Sequence, residues 1–360
     1  MRIGIDAREL CGRATGAGRY LAGLLSHWAV DDGARRHEFV LYAPEPLESA
    51  FDARRFPTRL VSGAPGTWWE QVRLPASASR DHLDVFFSPA YTAPLRIRVP
   101  IVVAIHDLSF VTHPEWFRTR EGLRRRWLTR ASARRARAIV TISQFSRQEL
   151  VESLNVPDAR IHVIPPGVMS GAPVARGRAA EERVLFVGSI FNRRHVPHLI
   201  RAFGMLARRL AHASLDLVGD NRTYPTEDFQ RVIAAEGLDG RVRWHRFASD
   251  DELRDFYARA RAFAFLSEYE GLGLTPLEAL AAGVPSVLLD TPVARESCGD
   301  AALYVSRDDV AAVARALEQL LVDEGVRARL LAAAPAVLAR YQWARAGSET
   351  LAVIEGCGTP

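Results

Sequence analysis

The chain has 360 residues, 48% of them hydrophobic and 25% charged, with a formal net charge of +5 and not one lysine among its 47 basic residues. That length exceeds one ordinary domain of roughly 100–200 residues and predicts two, the composition is that of a globular protein, and no run reaches the ~18 apolar residues that a transmembrane helix requires. The charge is uneven: nine arginines against Glu121 between Arg118 and Arg137 make a local +8 within a chain of +5, so the remainder carries −3 and the basicity is one patch.

The N-terminus, MRIGIDAREL, reads as a charged strand over Arg2 to Asp6 and not as a secretory leader. Thr15-Gly16-Ala17-Gly18-Arg19-Tyr20 then leads into a helix whose apolar positions are Leu21, Leu24, Leu25 and Trp28. A dinucleotide fingerprint needs a third glycine where Leu21 stands and a loop directly after the strand, so that reading is weak. Further strands are expected at Glu38 to Tyr42, Asp84 to Phe87, Pro100 to Ile105, Ala138 to Ile142 and Ile161 to Ile164, with helical patterns between several of them. Such alternation predicts a doubly wound α/β sheet. His106-Asp107 follows the third of these strands at its carboxyl end, where it is either a hydrogen-bonded structural pair or a functional one.

The arginine patch has three readings. It is a solvated helix face, or, flanked by Trp116, Phe117 and Trp127, a surface for anionic lipid. Nucleic acid is disfavoured because no stacking platform accompanies the charge. Pro165-Pro166-Gly167 breaks the chain, and residues 169–182, rich in Gly, Ala, Pro and Arg without a period, read as an interdomain linker.

The second half restarts the same grammar, with strands expected at Val184 to Val187, Leu215 to Val218, Val242 to Phe247, Ala262 to Leu266, Val284 to Leu289 and Ala302 to Val305. After the first of these, Gly188-Ser189-Ile190-Phe191-Asn192-Arg193-Arg194-His195 sets two guanidiniums where a helix begins, a place suited to a diphosphate, or else to an exposed basic loop. After the fourth, Glu270, Gly271 and Gly273 form a loop, Pro276 starts a helix with Glu278 in its first turn, and Gly283 stops it. Ligands of open parallel sheets bind beyond the carboxyl ends of the strands, which puts Glu270 at the rim of a binding crevice. Thr275-Pro276-Leu277-Glu278 also matches a capping box, which accounts for Glu278 but not for Glu270 or the glycines. Cys11, Cys298 and Cys357 are too few and scattered for a disulfide framework or metal site, which favours a reducing, cytoplasmic setting. A last helix, from about Tyr341 with Trp343 to Ile354, closes the chain.

The stretch EGLGLTPLEA, Glu270 to Ala279, resembles the E-x7-E signature, usually EGFGLPxLEA, of retaining nucleotide-sugar-dependent glycosyltransferases of the GT-B fold, family 4, in particular its mannosyltransferase-like group. Leu272 stands for Phe and Thr275 for Pro, while both carboxylates and both glycines match. Gly188 to His195 resembles that family's G-x-x-x-x-R-K-N stretch, with Arg193 at the Arg and Arg194 at the Lys position, and TGAGRY resembles its glycine loop that approaches the donor's phosphates and the acceptor. The resemblance implies two Rossmann-like doubly wound domains facing across a cleft: an acceptor-side domain 1–168, the linker 169–182, a nucleotide-sugar domain 183–340 and a C-terminal helix 341–360 that crosses back.

Carried over residue by residue, it implies candidate catalytic residues His106, Arg193, Arg194 and Glu270. Donor-binding candidates are Gly16, Gly18, Gly188, Ser189, Phe247, Gly271, Leu272, Gly273, Leu274, Thr275 and Glu278. Glu270 is expected on the donor sugar's hydroxyls, Glu278 on the ribose diol, the arginines on the diphosphate and Phe247 near the base. No metal and no cofactor are implied, the nucleotide-diphosphate sugar being a co-substrate. The expected partners are that donor, GDP-mannose as a first guess, and a saccharide, lipid-linked or small-molecule acceptor, with contact to an anionic membrane through Arg118 to Arg137 and no nucleic acid. A sugar-nucleotide epimerase or isomerase on the same fold, and a non-catalytic basic membrane-surface protein, are the competing readings; the first needs a second acid/base pair over the sugar that the sequence does not offer.

Overall fold

A computed structural model describes residues 1–12, 16–47, 52–168 and 182–358. The linker expected at 169–182 falls outside the described residues except for Glu182, as does Thr15 at the head of the first glycine loop. The chain divides into two compact units, Met1–Gly167 with Tyr341–Pro360, and Val168–Arg340.

The first unit carries strands β1 (Arg2–Asp6), β2 (Glu38–Ala43), β3 (Thr58–Leu60), β4 (Val85–Ser88), β5 (Ile101–Ala104), β6 (Ala138–Thr141) and β7 (Ile161–Val163) in one sheet of order β3-β2-β1-β4-β5-β6-β7. Every pairing is parallel. Successive strand residues alternate between faces: Phe39 and Leu41 join one core with Ile3, Ile5 and Phe87, while Val40 and Tyr42 join another with Phe86, Ile101 and Val103. Covering both faces is what makes these strands continuous apolar runs. The helices are α1 (Gly16–Val30), α2 (Leu74–Ala78), α3 (Ser109–Thr112), α4 (Thr119–Arg135) and α5 (Gln144–Leu154).

The second unit repeats the plan with β8 (Arg183–Val187), β9 (Ser214–Val218), β10 (Val242–His245), β11 (Ala262–Phe265), β12 (Ser286–Leu289) and β13 (Ala302–Val305), again all parallel, in the order β10-β9-β8-β11-β12-β13. Its helices are α6 (Val196–Ala207), α7 (Phe229–Ala235), α8 (Asp250–Arg259), α9 (Leu274–Ala281), α10 (Pro292–Cys298), α11 (Val310–Val322) and α12 (Glu324–Leu338). In each sheet the order reverses beside the first strand, between β1 and β4 and between β8 and β11, and the carboxyl ends at such a reversal are the ligand side of a doubly wound fold.

The last helix, α13 (Trp343–Cys357), belongs to the first unit, where it packs on α1. Small residues make the close approach possible: a Cβ on Gly23 of α1 would stand 2.3 Å from the Trp343 ring, and Trp28 donates its indole N–H to the Gly347 carbonyl at 2.9 Å.

Doubly wound α/β units with parallel sheets are the fold class expected from the sequence. Two details differ. The edge strand β3 has all three residues exposed and pairs only with β2, so no apolar run announces it. The helix expected from Pro276 begins two residues earlier, at Leu274, because Gly273, at φ 87°, serves as its N-cap.

Candidate functional site

In the second unit the site is built on the carboxyl ends of the neighbouring strands β8 and β11. Gly188 (φ 137°) ends β8 and Gly219 (φ 150°) ends β9; a Cβ on Gly219 would lie 2.1 Å from the Gly188 carbonyl oxygen, so only glycine lets the two backbones approach this closely. From Gly188 the chain passes Ser189, whose carbonyl accepts a hydrogen bond from Arg194 Nη1 at 2.7 Å, and enters a single 3-10 turn, Asn192–Arg194. His195 at φ 46° then hands the chain to α6. That turn lays both guanidiniums against the loop that follows β11.

Arg193 lies 4.4 Å over the Phe191 ring, donates Nε–H to the Tyr269 carbonyl at 3.2 Å, and accepts on its own carbonyl from the Glu268 amide at 2.9 Å. Arg194 sits 4.8 Å over the Phe265 ring and directs Nε (2.9 Å) and Nη2 (2.8 Å) to one oxygen of Glu270, Oε1. The sequence reading gave the arginines and Glu270 separate tasks. In the structure Arg194 and Glu270 are paired with each other, their side chains 12% and 17% exposed.

Glu270 leads into Gly271, Leu272 and Gly273, and then into α9. No side chain caps this helix, which corrects the capping-box expectation for Thr275 and Glu278. Glu278 consequently lies in the second turn and not the first, half-buried, with the Tyr257 hydroxyl 3.5 Å from its Oε2. Leu274, Thr275 and Pro276 open the first turn, where the Leu274 and Thr275 N–H groups have no partner inside the helix and Pro276 has no N–H. Phe247 stands just past β10, two strands from β8, with 61% of its surface exposed.

Glu268, to which the sequence reading gave no role, ties three loops together. Its carboxylate lies 3.3 Å from His195 Nε2 and 2.7 Å from Arg307 Nη1, in the loop after β13. Ser267 was likewise given no role. It is 6% exposed and donates its hydroxyl to Glu270 Oε1 at 2.8 Å.

In the first unit the carboxyl ends of β1, β4 and β5 gather a second set. His106, 8% exposed, has Nε2 2.8 Å from the Pro89 carbonyl. A carbonyl only accepts, so Nε2 carries the proton, and burial pushes the ring's pKa down, which keeps it neutral with Nδ1 as an acceptor. The Tyr20 ring meets His106 edge-on at 4.6 Å, which places the first turn of α1, with exposed Gly16 and buried Gly18, beside it. Asp107 accepts from the Tyr91 hydroxyl at 2.7 Å and from Ser109 N at 3.0 Å; Tyr91 itself is held at φ 55°.

Sequence reasoning missed the neighbouring charge network. Arg8 Nη2 donates to Glu70 Oε1 at 2.6 Å and to Thr92 Oγ1 at 3.1 Å, while Arg8 Nε lies 3.3 Å from Asp6 Oδ2. Burial pushes Asp6 up to about 6 against the opposing pull of Arg8. Glu70 lies in an irregular helical turn with no motif around it, so nothing in the sequence signalled the network.

The arginine patch is α4 with its flanks. Of the aromatic residues expected beside it, Trp116 stacks on His113 at 4.0 Å and Phe117 packs against Phe110, so only Trp127 stands out, at 64% exposure. Leu123, one turn earlier, is exposed as well, and Arg124 donates to Thr67 at 2.6 Å, next to the exposed Trp68. No helix among the described residues is long and apolar enough to cross a membrane.

The second unit thus brings Gly188, Ser189, Arg193, Arg194, Glu270 and the Gly271 to Thr275 loop together, with Glu278 on the helix that follows. The first unit brings His106 and the start of α1 together.

Comparisons with known proteins point to one family. A model described as "Glycosyltransferase Family 4" matches residues 14–170, and one described as "Glycosyl transferases group 1" matches residues 176–337. O-antigen chain mannosyltransferase B of Escherichia coli is 28% identical over 294 residues, 78% of this chain and 76% of that protein. The GDP-mannose-dependent alpha-(1-6)-phosphatidylinositol monomannoside mannosyltransferase of Mycolicibacterium smegmatis is 27% identical over 369 residues, 91% of this chain and 92% of that protein. The crystal structure of Anabaena HepE in complex with UDP and glucose superposes with a TM-score of 0.75, covering 98% of this chain and 99% of that one at 18% identity, a likeness that speaks to the fold, GT-B.

Proposed function

The chain belongs to glycosyltransferase family 4, and from that premise we propose that it transfers a hexosyl group from a nucleotide-diphosphate sugar with retention of anomeric configuration. The observation that carries this reading is the interlock at the ends of β8 and β11, where Arg193 and Arg194 meet the Glu270 loop at the start of α9.

Two guanidiniums and the first-turn amides of α9 supply the positive charge that a departing nucleoside diphosphate requires. The free oxygen of Glu270 binds donor-sugar hydroxyls, with the amides of Gly271 to Thr275 beside it. Glu278 accepts from both hydroxyls of the nucleotide ribose, Phe247 stacks near the base, and Gly188 and Ser189 admit the phosphates close to the backbone. On the first unit, neutral His106 accepts a hydrogen bond from the sugar, and Gly16 and Gly18 allow backbone approach to donor or acceptor. The anomeric carbon–phosphate oxygen bond breaks, the bond to the acceptor oxygen forms on the same face, and the acceptor proton passes to the leaving phosphate. Arginine charge makes a metal ion unnecessary in this scheme.

GDP-mannose is the proposed donor, supported by the name of the Mycolicibacterium relative, which includes GDP-mannose, and by that of the Escherichia coli relative, a mannosyltransferase. The acceptor is a saccharide, a lipid-linked saccharide or a small molecule. The exposed Trp127 and Leu123 among the arginines of α4, with the exposed Trp68 next to the Arg124 partner Thr67, support peripheral contact with an anionic membrane from the cytoplasmic side. Vesicles containing phosphatidylglycerol should sediment the protein at low salt and lose most of it above about 0.5 M salt, as screening of surface charge requires; equal binding to neutral vesicles would remove the electrostatic part.

A panel of nucleotide sugars, scored by thermal stabilisation, identifies the donor, since a ligand at 100 times its Kd stabilises by about 2.7 kcal/mol. Transfer to a saccharide acceptor, with the product anomer read by NMR and with EDTA present, then tests the chemistry. An inverted anomer, or activity abolished by EDTA, would remove the corresponding part of the scheme.

A further inference from the structure

We propose that Ser267 is a positioning residue for the donor sugar, acting through one oxygen of Glu270; the assignment rests on the reading of the second unit as a nucleotide-sugar site. The hydrogen bonds to the Glu270 carboxylate and its ion-pair contact with Arg194 fall on Oε1. Arg194 contributes two, from Nε at 2.9 Å and Nη2 at 2.8 Å, and Ser267 contributes the third, from Oγ at 2.8 Å. Oε2 receives none of them. With Oε1 held by one guanidinium and one hydroxyl, rotation of the carboxylate is restrained, and the direction of Oε2 with it.

Ser267 is suited to this task by its place. It is the second residue past β11, 6% exposed, and its backbone is set by the strand before it and by the Arg193 carbonyl bond to the next amide. Its hydroxyl hydrogen has two acceptors within reach, the Tyr269 carbonyl at 3.1 Å and Glu270 Oε1 at 2.8 Å, and the shorter, charge-assisted bond is the stronger. Only 6% of the residue is exposed and its hydroxyl is engaged by Glu270 Oε1, so in this proposal it acts on the sugar through Glu270.

The consequence separates the two halves of the donor. Oε2 is presented to the sugar hydroxyls, whereas the nucleoside diphosphate is held by guanidiniums and backbone amides that Ser267 does not touch. Removing the Ser267 hydroxyl loosens the sugar end and leaves the nucleotide end in place.

The experiment measures binding by calorimetry for wild type, Ser267→Ala and Ser267→Thr with paired probes, GDP-mannose against GDP and UDP-glucose against UDP, followed by steady-state transfer with the pair that wild type binds more tightly. Ser267→Ala is expected to weaken the nucleotide sugar about tenfold, the lower end for loss of a hydrogen bond to a charged group, while the nucleoside diphosphate stays within twofold of wild type. The kcat/KM for transfer should fall by at least the same factor, and Ser267→Thr, which keeps a hydroxyl, should recover most of the loss. Equal weakening of both probes, or no weakening of either, overturns the assignment and leaves the proposed function standing. A wild-type protein that binds no nucleoside diphosphate and no nucleotide sugar overturns the reading of the site itself.

Discussion

Replacing Gly188 with alanine tests whether the placement of Arg194 controls the chemistry. Gly188 has φ 137°, a conformation L side chains rarely adopt, and its new Cβ would lie 2.6 Å from Arg194 Nη1 and 3.6 Å from the guanidinium carbon. The backbone strain costs about 1–3 kcal/mol. The guanidinium is the far end of a flexible side chain and moves away, which breaks its hydrogen bond to the Ser189 carbonyl for about 1 kcal/mol more. At about 2–4 °C per kcal/mol for a unit of this size, melting should drop by roughly 4–16 °C. Turnover should fall further than stability, by about 10²–10³-fold, because the displaced guanidinium no longer meets Glu270 or the leaving phosphate. Gly237→Ala is the control: φ is 66° and nothing lies within 4 Å of its Cβ, so it reports backbone strain alone. Melting curves and steady-state transfer by the two variants, assayed well below their melting temperatures, decide the matter. If Gly188→Ala loses stability but keeps kcat within threefold of Gly237→Ala, the position of Arg194 does not govern the reaction.

Arg194→Ala should lower kcat by a similar 10²–10³-fold while nucleotide-sugar KM changes less, measured by initial rates over a donor series. His106 is buried with its pKa pushed below the usual 6.5, so the unfolded chain binds the proton that the folded chain refuses; its contribution is present above pH ~6.5 and is lost as pH falls below that value. Thermal melts of wild type and His106→Gln from pH 5 to 8 should therefore differ most at pH 8 and converge toward pH 5, and parallel curves would refute the assignment. Gly23→Ala drives a Cβ to 2.3 Å from the Trp343 ring and should cost about 1–3 kcal/mol by overpacking α1 against α13, read by thermal melts; a melting temperature equal to that of wild type would refute the close packing.

The sheets were legible because parallel strands covered on both faces have no choice but to be apolar throughout. Ala262–Phe265 and Ala138–Thr141 are buried at every position, and their sequences show it. The edge strand Thr58–Leu60 is exposed at all three positions, so its identity resides in the β2 backbone it pairs with and not in its side chains. The start of α9 was misplaced for a related reason. Proline at a first turn is a sound signal, but a left-handed Gly273 can open a helix without it, and φ is not written in a glycine's neighbours.

The site divides along the same line. Residue types that chemistry demands, two adjacent guanidiniums after a strand and a carboxylate after another, are recognisable locally, and the fold places Arg194 and Glu270 in contact although 76 residues separate them. Which group each one grips is a property of that contact. Once β8 and β11 are neighbours, their loops must share a small volume, and the least costly way to bury Arg194 at 12% exposure is to give it a carboxylate. The pair meets a requirement of packing, and in the proposed scheme it is also a chemical asset, since a guanidinium already anchored on a carboxylate oxygen and on a backbone carbonyl would need little reorganisation on binding a diphosphate. Ser267 follows from that geometry and could not precede it: a serine two residues past a strand is unremarkable until the oxygen it touches is known to be the one the arginine already holds.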